Sequence, residues 1–519
     1  MSPPSAHRTA LVLTALSFSL RCCWSSFSSA PEIPLIAPYF GTKTRYEEVN
    51  PQLLRDVLFV DRSVLKAPAS EGCSPPLPDR QEHPQIQRLS ELVRREASRG
   101  SERWQQDIQS RWENWFSEDM DGQLVTKGKA ELRQLAARLS ALFPALLAEE
   151  NLRRISLRSS SKHRCVSSVE ALQEGLWRTA GDPGATSAPP PAPGPAAHRP
   201  TPVVLADMQY RHVIDDQLLR FFERCRGYVE GVENNRTALQ EVERFKHGEE
   251  MEALRRRTAR RLGLHQQRLT TGEHTHTHTH THTHTHTHTH THTPPSSPLH
   301  SRPSRLADLL EAAFFICSYE LSIRSVHSPW CFLFSEEDAK VGLEGTGVPA
   351  GAAAHGDCVQ VLEYQADLKQ YWKRSHGHMI SSLSSCPLFH HIFRTLDRAG
   401  RPRRSTEELP EPASILVGHA ETLLPLLSLL GLHKDQTPPT ASNYRTQHGR
   451  SFRTSHMVPY AANLLFVLYD CQRGPRLQLL LNESPVRFPG LKDDAPLYRD
   501  VRATYRHLLD GCDFDRECE

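Results

Sequence analysis

Two short stretches hold the side chains best suited to chemistry. In Gly418-His419-Ala420-Glu421-Thr422 a histidine and a carboxyl stand two residues apart, between hydrophobic Ser414–Val417 and leucine-rich 423–432. Where a strand turns into a helix, free backbone N–H groups at the helix start point outward, a setting that favours phosphate. There His419 could donate to a phosphate oxygen, and Glu421, with a raised pKa, could protonate a departing alkoxide. Equally, Glu421 could serve only the helix dipole and His419 only pack locally. The residues alone leave both readings open. The second stretch, Ser159-Ser-Ser-Lys162-His-Arg164-Cys165, sets Arg164 and Lys162 at a similar junction. A guanidinium there can clasp two phosphate oxygens, although an arginine near a helix start is more often solvated or structural.

The elements that must position these turns are written in the hydrophobic pattern. Residues 126–143 have a helical period, with Leu132, Leu135, Ala136, Leu139, Leu142 and Phe143 on one face and Thr126 as the cap. Arg154–Arg158 then reads as a strand, followed by the serine-rich turn and a helix through Val166, Val169, Leu172 and Leu176. Strand, turn, helix is the α/β unit. Residues 413–432 repeat that plan, and Met457–Tyr469 and Leu477–Leu481 read as two more strands. Between these ends, residues 206–264 are charged and helical, notably Thr237–Leu264. The expected fold is α/β, a mixed central sheet flanked by helices, with a mainly α-helical domain inserted. Its parts are 31–180, a Pro-rich loop over 181–202, the helical insertion over 203–358, and 359–519.

The 519 residues carry a net charge of +2, so no global basic field invites nucleic acid. Past the N-terminus no apolar run is long enough to span a membrane. Residues 1–30 have the form of a secretory signal: Arg8, an apolar stretch Thr9–Leu20, then small residues Ser25–Ala30. In that compartment the scattered cysteines favour disulfides. Asn235-Arg-Thr is a glycosylation sequon, whereas Asn482-Glu-Ser-Pro485 is a poorer acceptor. The strict His-Thr alternation over 274–293 offers many weak, equivalent imidazoles and no fixed geometry, so no metal site is assigned to it. Residues 342–357 are Gly/Ala-rich without periodicity.

His419-Ala-Glu421 with Thr422-Leu-Leu-Pro-Leu-Leu-Ser428 closely resembles the His-Ala-Glu region of the multiple inositol polyphosphate phosphatases, within the histidine acid phosphatases. So do Pro38-Tyr-Phe-Gly-Thr-Lys-Thr-Arg-Tyr46, Met120-Asp-Gly-Gln-Leu124, Ser160–Cys165, Ser328-Pro-Trp-Cys331, Leu368-Lys-Gln-Tyr-Trp-Lys-Arg374 and Val458-Pro-Tyr-Ala461. The resemblance implies hydrolysis of phosphomonoesters on inositol polyphosphates such as inositol hexakisphosphate, and of 2,3-bisphosphoglycerate. It implies a phosphohistidine intermediate and no cofactor, since positioned cations neutralise the charge. By position, His419 is the second histidine, Glu421 the proton donor and Arg164 a phosphate ligand. Lys43, Arg45 and Lys162 are candidates for peripheral phosphates. The resemblance also suggests disulfides Cys512–Cys518 and Cys73–Cys386. The signal-like segment and the sequon point to the secretory pathway, as an endoplasmic reticulum or secreted protein; the resembled family often ends in a retention tetrapeptide, which Arg516–Glu519 is not.

One departure stands out. The family's nucleophilic histidine lies in Arg-His-Gly-x-Arg-x-Pro, and no such run occurs in this sequence. Its place falls between Cys73 and Ile86, where the chain reads Ser74-Pro-Pro-Leu-Pro-Asp-Arg-Gln-Glu-His-Pro84. A proline-rich approach of this kind cannot form a central strand, so the strand is expected to be missing too. Neither Arg80 nor His83 replaces the motif, and Gln447-His-Gly-Arg450 is a decoy in a polar loop. Three explanations fit: a coding stretch absent from this sequence, an inactive phosphatase that still binds inositol phosphates, or a different nucleophile. The first also accounts for the runs at 274–293 and 342–357, which interrupt matching segments.

Overall fold

The computed structural model describes residues 36–49, 65–72, 83–97, 100, 102–116, 120, 122–181, 212–264, 307–324, 326–334, 357–401 and 411–519. The signal-like residues 1–30, Cys73, the Pro-rich loop after Gly181, the His-Thr run and residues 342–356 lie outside them.

A seven-stranded mixed sheet runs in the order β3-β2-β4-β1-β5-β6-β7. Its strands are β1 (Leu65–Gly72), β2 (Ser156–Ser159), β3 (His212–Ile214), β4 (Ser414–Val417), β5 (Asn463–Tyr469), β6 (Arg476–Leu481) and β7 (Ser484–Val486). The first four are mutually parallel, and β5 to β7 continue antiparallel. Strands β4 and β5 are buried along their whole length, which is why they read as continuous apolar runs. Ile415, Val417, Leu465 and Val467 face a core shared with α2 (Thr126–Leu142) and α3 (His163–Gly181). Leu416, Leu464, Phe466 and Leu468 face the opposite core. That core is covered by α7 (Cys386–Gly400) and α8 (Ala420–Leu429).

A third core is helical, and it draws on several parts of the chain. It joins Ile36–Phe40, α1 (His83–Glu96), α4 (Glu249–Arg261), α5 (Ala307–Ser322) and α6 (Asp357–Arg374). The stretch between β2 and this layer also gives the sheet an edge strand, β3. The helix expected over Thr237–Leu264 is broken into Arg236–Leu239, Gln240–Lys246 and α4, with Gly248 capping the last. The strand expected over Met457–Tyr469 begins only at Asn463, because Thr454–Met457 forms a helical turn.

Two expectations are corrected. A central strand is present: β1 lies between β4 and β5, formed by residues before Cys73 rather than by the proline-rich run after it. Pro68 is compatible with this place because pairing with β4 starts only at Ala69, so its missing N–H falls before the doubly flanked stretch. The disulfides also differ. Cys386 pairs with Cys512 and Cys518 with Cys225, while Cys317 pairs with Cys331. Cys512 and Cys518 stand six positions apart in sequence, yet each is carried to a different helix-bearing segment.

Candidate active site

The parallel strands β2, β3 and β4 end at one edge of the sheet, and hydrogen bonds join the three turns that follow them. The Ser161 N–H donates to Asp216 at 2.8 Å, and the Asp215 N–H donates to the Ser159 carbonyl at 2.8 Å. Thr422 Oγ1 donates to the Leu219 carbonyl at 2.6 Å and accepts the His419 N–H at 3.1 Å. Gly418 is needed here, since a Cβ would come within 2.8 Å of Thr422 Oγ1.

His419 is buried at this junction. Its Nδ1 lies 3.2 Å from an Arg164 nitrogen and its Nε2 lies 2.8 Å from Ser160 Oγ. A guanidinium only donates, so Nδ1 accepts and the ring proton sits on Nε2, directed at Ser160. The ring stands perpendicular to that of Phe222, centroids 6.5 Å apart, and the Cys165 thiol donates to the Gly418 carbonyl at 3.2 Å. Burial, then Arg164, pushes the His419 pKa down to about 4, with Arg220 and Lys162 adding to the effect.

Glu421 lies in the first turn of α8, and its carboxylate meets Arg374, the last residue of α6, at 2.9 Å. Burial favours its neutral form, but Arg374, followed by His419 and Arg164, overrides this and holds it at about 2. Arg220 approaches from the third turn, 3.3 Å from Ser161 Oγ and 3.6 Å from Asp216. Cations thus crowd a small space that has few carboxylates, an arrangement suited to an oxyanion.

Of the residues singled out in sequence, His419, Glu421, Arg164 and Lys162 come together. Lys43 and Arg45 are carried by the N-terminal segment that includes Gly41–Lys43. The Lys43 ammonium sits 4.3 Å over the Phe315 ring and 5.3 Å over Tyr319. Arg45 is buried and paired with Glu48. The next residue, Tyr46, accepts from Asn463, which pairs with Gly72 across the β5 side of β1. Arg450 of the decoy loop is committed to Asp367 and Glu363. Asn235 caps the turn Arg236–Leu239 through the Thr237 N–H, whereas Asn482 is buried and donates to the His456 carbonyl.

Sequence reasoning missed Ser160, Asp216, Arg220 and Arg374 as parts of the site. Asp216 and Arg220 follow a three-residue strand that has no hydrophobic pattern of its own. Arg374 closes a motif that was visible, but nothing local pointed it at Glu421.

The geometry agrees with what known proteins resemble this chain. The model of the histidine phosphatase superfamily (branch 2) matches residues 92–482. Multiple inositol polyphosphate phosphatase 1 of Homo sapiens is 36% identical, over 99% of this chain and 96% of its own. The protein of the same name from Gallus gallus is 37% identical, over 93% and 92%. In fold, the chain resembles the Bifidobacterium longum multiple inositol polyphosphate phosphatase solved with inositol hexasulfate. The TM-score is 0.60 at 15% identity, over 87% of this chain and 93% of that one. A phytase from D. castellii gives 0.61 at 12% identity, over 93% and 87%. The chain belongs to the histidine phosphatase superfamily, branch 2, among the multiple inositol polyphosphate phosphatases.

Proposed function

We propose that this site takes the phosphate groups of inositol polyphosphates and hydrolyses them as phosphomonoesters. What carries this reading is the clustering of Arg164, Ser160 and Glu421 around His419 at the carboxyl edge of parallel strands. In it, Arg164 clasps the transferring phosphate and His419 donates to its oxygens. Glu421 protonates the leaving alcohol, and the exposed Lys162 meets a neighbouring phosphate. Lys43 and Arg45 already have partners in the fold and take a lesser share. 2,3-Bisphosphoglycerate, with two closely spaced anions, belongs to the same chemical class. Disulfides and the Asn235 sequon favour a protein of the secretory route, lumenal or exported.

A second reading is favoured by one observation. β1 reaches the site edge level with β4, yet the sequence that follows is Cys73-Ser-Pro-Pro and not Arg-His-Gly. On that reading the chain binds inositol phosphates without turning them over. Brief exposure to radiolabelled inositol hexakisphosphate separates the two, because turnover requires an acid-labile phosphohistidine. Hydrolysis predicts a trapped phosphohistidine, whereas binding without turnover predicts none while the ligand still binds in titration calorimetry. A trapped phosphohistidine would restore the first reading in full, and absence of binding would sink both.

A further inference from the structure

Arg374 is mostly buried; one end nitrogen meets Glu421 at 2.9 Å and the other donates to the neutral Gln370 Oε1 at 2.8 Å, one turn back on the same helix. Its Nε is buried with no hydrogen-bond partner among the described residues. An unsatisfied buried N–H costs about 1–3 kcal/mol, and an oxyanion is the group that would satisfy it. Behind it, Lys373 neutralises Glu233 at 2.6 Å, and the Tyr228 hydroxyl donates to the same carboxylate at 2.9 Å. The second acidic group near Arg374 is therefore already taken. The pairing raises a chemical difficulty. A general acid must hold its proton when the ester oxygen leaves, yet a carboxylate beside this guanidinium is ionised.

We propose that Arg374 is a substrate-displaced clamp on Glu421: an oxyanion of a bound polyanion takes the guanidinium, and the freed carboxylate then picks up its proton. This rests on the reading of Glu421 as proton donor. The proton comes from solvent during binding. When the ligand departs the proton returns to solvent, and Glu421 pairs with Arg374 again as a carboxylate. The charges facing Glu421 are Arg374 from α6, His419 from its own turn and Arg164 from α3. Those facing Arg374 are Glu421, Tyr228 and Glu233. Arg374 thereby becomes a positioning and specificity residue. A ligand with one anion fills the place beside His419 and Arg164 but leaves Glu421 ionised, whereas a ligand with several anions arms it.

Proton uptake tests this without requiring turnover. The full chain is titrated at pH 4.5 with myo-inositol hexasulfate or inorganic sulfate, neither of which titrates there, in two buffers of different ionisation enthalpy. Hexasulfate is expected to draw in roughly half a proton to one proton more than sulfate. In Glu421→Gln that excess should vanish while binding persists. In Arg374→Gln it should fall by about half, because Glu421, released to its ordinary range near pH ~4.3, is already partly protonated. Equal uptake from both ligands by the unmodified chain overturns the clamp, even if no variant folds. So does an excess that survives in Glu421→Gln. Failure of either ligand to bind removes the anion site itself, and the clamp with it.

Discussion

Helix α6 carries two charged clusters, and they are built on opposite principles. Near its middle, Glu363 and Asp367 meet Arg450 and Arg453 at 2.6–3.2 Å, with all but Arg453 almost wholly shielded from solvent. Thr454 adds its N–H and hydroxyl to Asp367 at 2.8 and 2.7 Å. Two carboxylates balance two guanidiniums, and the free lone pairs are filled. At its end, Lys373 is paired with Glu233, and Arg374 meets the site, where with Arg164, Lys162 and Arg220 it makes four cations against the three carboxylates of Glu421, Asp216 and Glu223. A balanced, closed cluster fixes the chain and has nothing left to bind. An unbalanced one at a strand-end edge leaves positive charge for a ligand.

The largest effect should come from unbalancing the closed cluster. Asp367→Ala strips Arg450 of its nearest carboxylate and leaves Thr454 without an acceptor. Breaking a buried pair in this way costs about 3–5 kcal/mol. Denaturant unfolding should register that loss, while the folded fraction keeps its affinity for inositol hexakisphosphate. Weakened binding with unchanged stability would mean that this cluster too serves the ligand.

Arg164→Ala should do the converse. The side chain is half-buried, and its hydrogen bond among the described residues is to the His419 ring nitrogen at 3.2 Å. Stability should move by less than about 1 kcal/mol, in keeping with a surface-type position. Affinity for inositol hexakisphosphate should drop by the worth of a charge-assisted hydrogen bond, about 1.5–3 kcal/mol, or roughly 10- to 150-fold in titration calorimetry.

The two clusters also mark how far the sequence could be read. Strand β4, helix α2 and helix α8 were legible because burial on one or both faces writes a period into the residues. β1 was not. Leu65-Lys-Ala-Pro-Ala-Ser-Glu-Gly72 has no β-branched or aromatic residue, and its strand form comes from β4 and β5 on either side, which local propensity does not encode. His419, Glu421 and Arg164 were legible through their position at strand-to-helix turns. The Arg374–Glu421 pair and the cysteine partners were not, because each depends on two distant segments meeting in space.

Acid should erode stability through a histidine in the site and another outside it. Burial, then Arg164, holds the His419 pKa at about 4, and burial, then Arg158, does the same for His391 on α7. Unfolded histidine titrates near ~6.5. Between these values the unfolded chain binds the extra protons, so stability is lost as pH falls from about 6.5 to 4. Each group contributes up to about 1.4 kcal/mol per pH unit across that window. Saturating inositol hexasulfate should charge His419 in the folded state and remove its share of the slope, leaving that of His391 and of His212, His376, His433 and His456, which burial also lowers. Melting curves at several pH values, with and without ligand, would detect this; an unchanged slope would place the anion away from His419.

The smallest effect is expected at Lys43, and it discriminates between two roles for this charge. As a peripheral phosphate ligand, Lys43 should behave as Arg164 does, losing affinity at little cost in stability. Its ammonium, however, lies over Phe315 and Tyr319, and both rings belong to α5 of the helical core. A cation over two aromatic faces is worth about 0.5–1 kcal/mol at such a site, and moving it to a phosphate would forfeit that contact. Lys43→Ala should therefore lower stability by about that amount. Affinity for inositol hexakisphosphate should change by less than about twofold, well under the loss of one charge-assisted bond. A tenfold loss of affinity would show that binding lifts Lys43 off its rings, and the N-terminal segment would then count among the elements that hold the substrate.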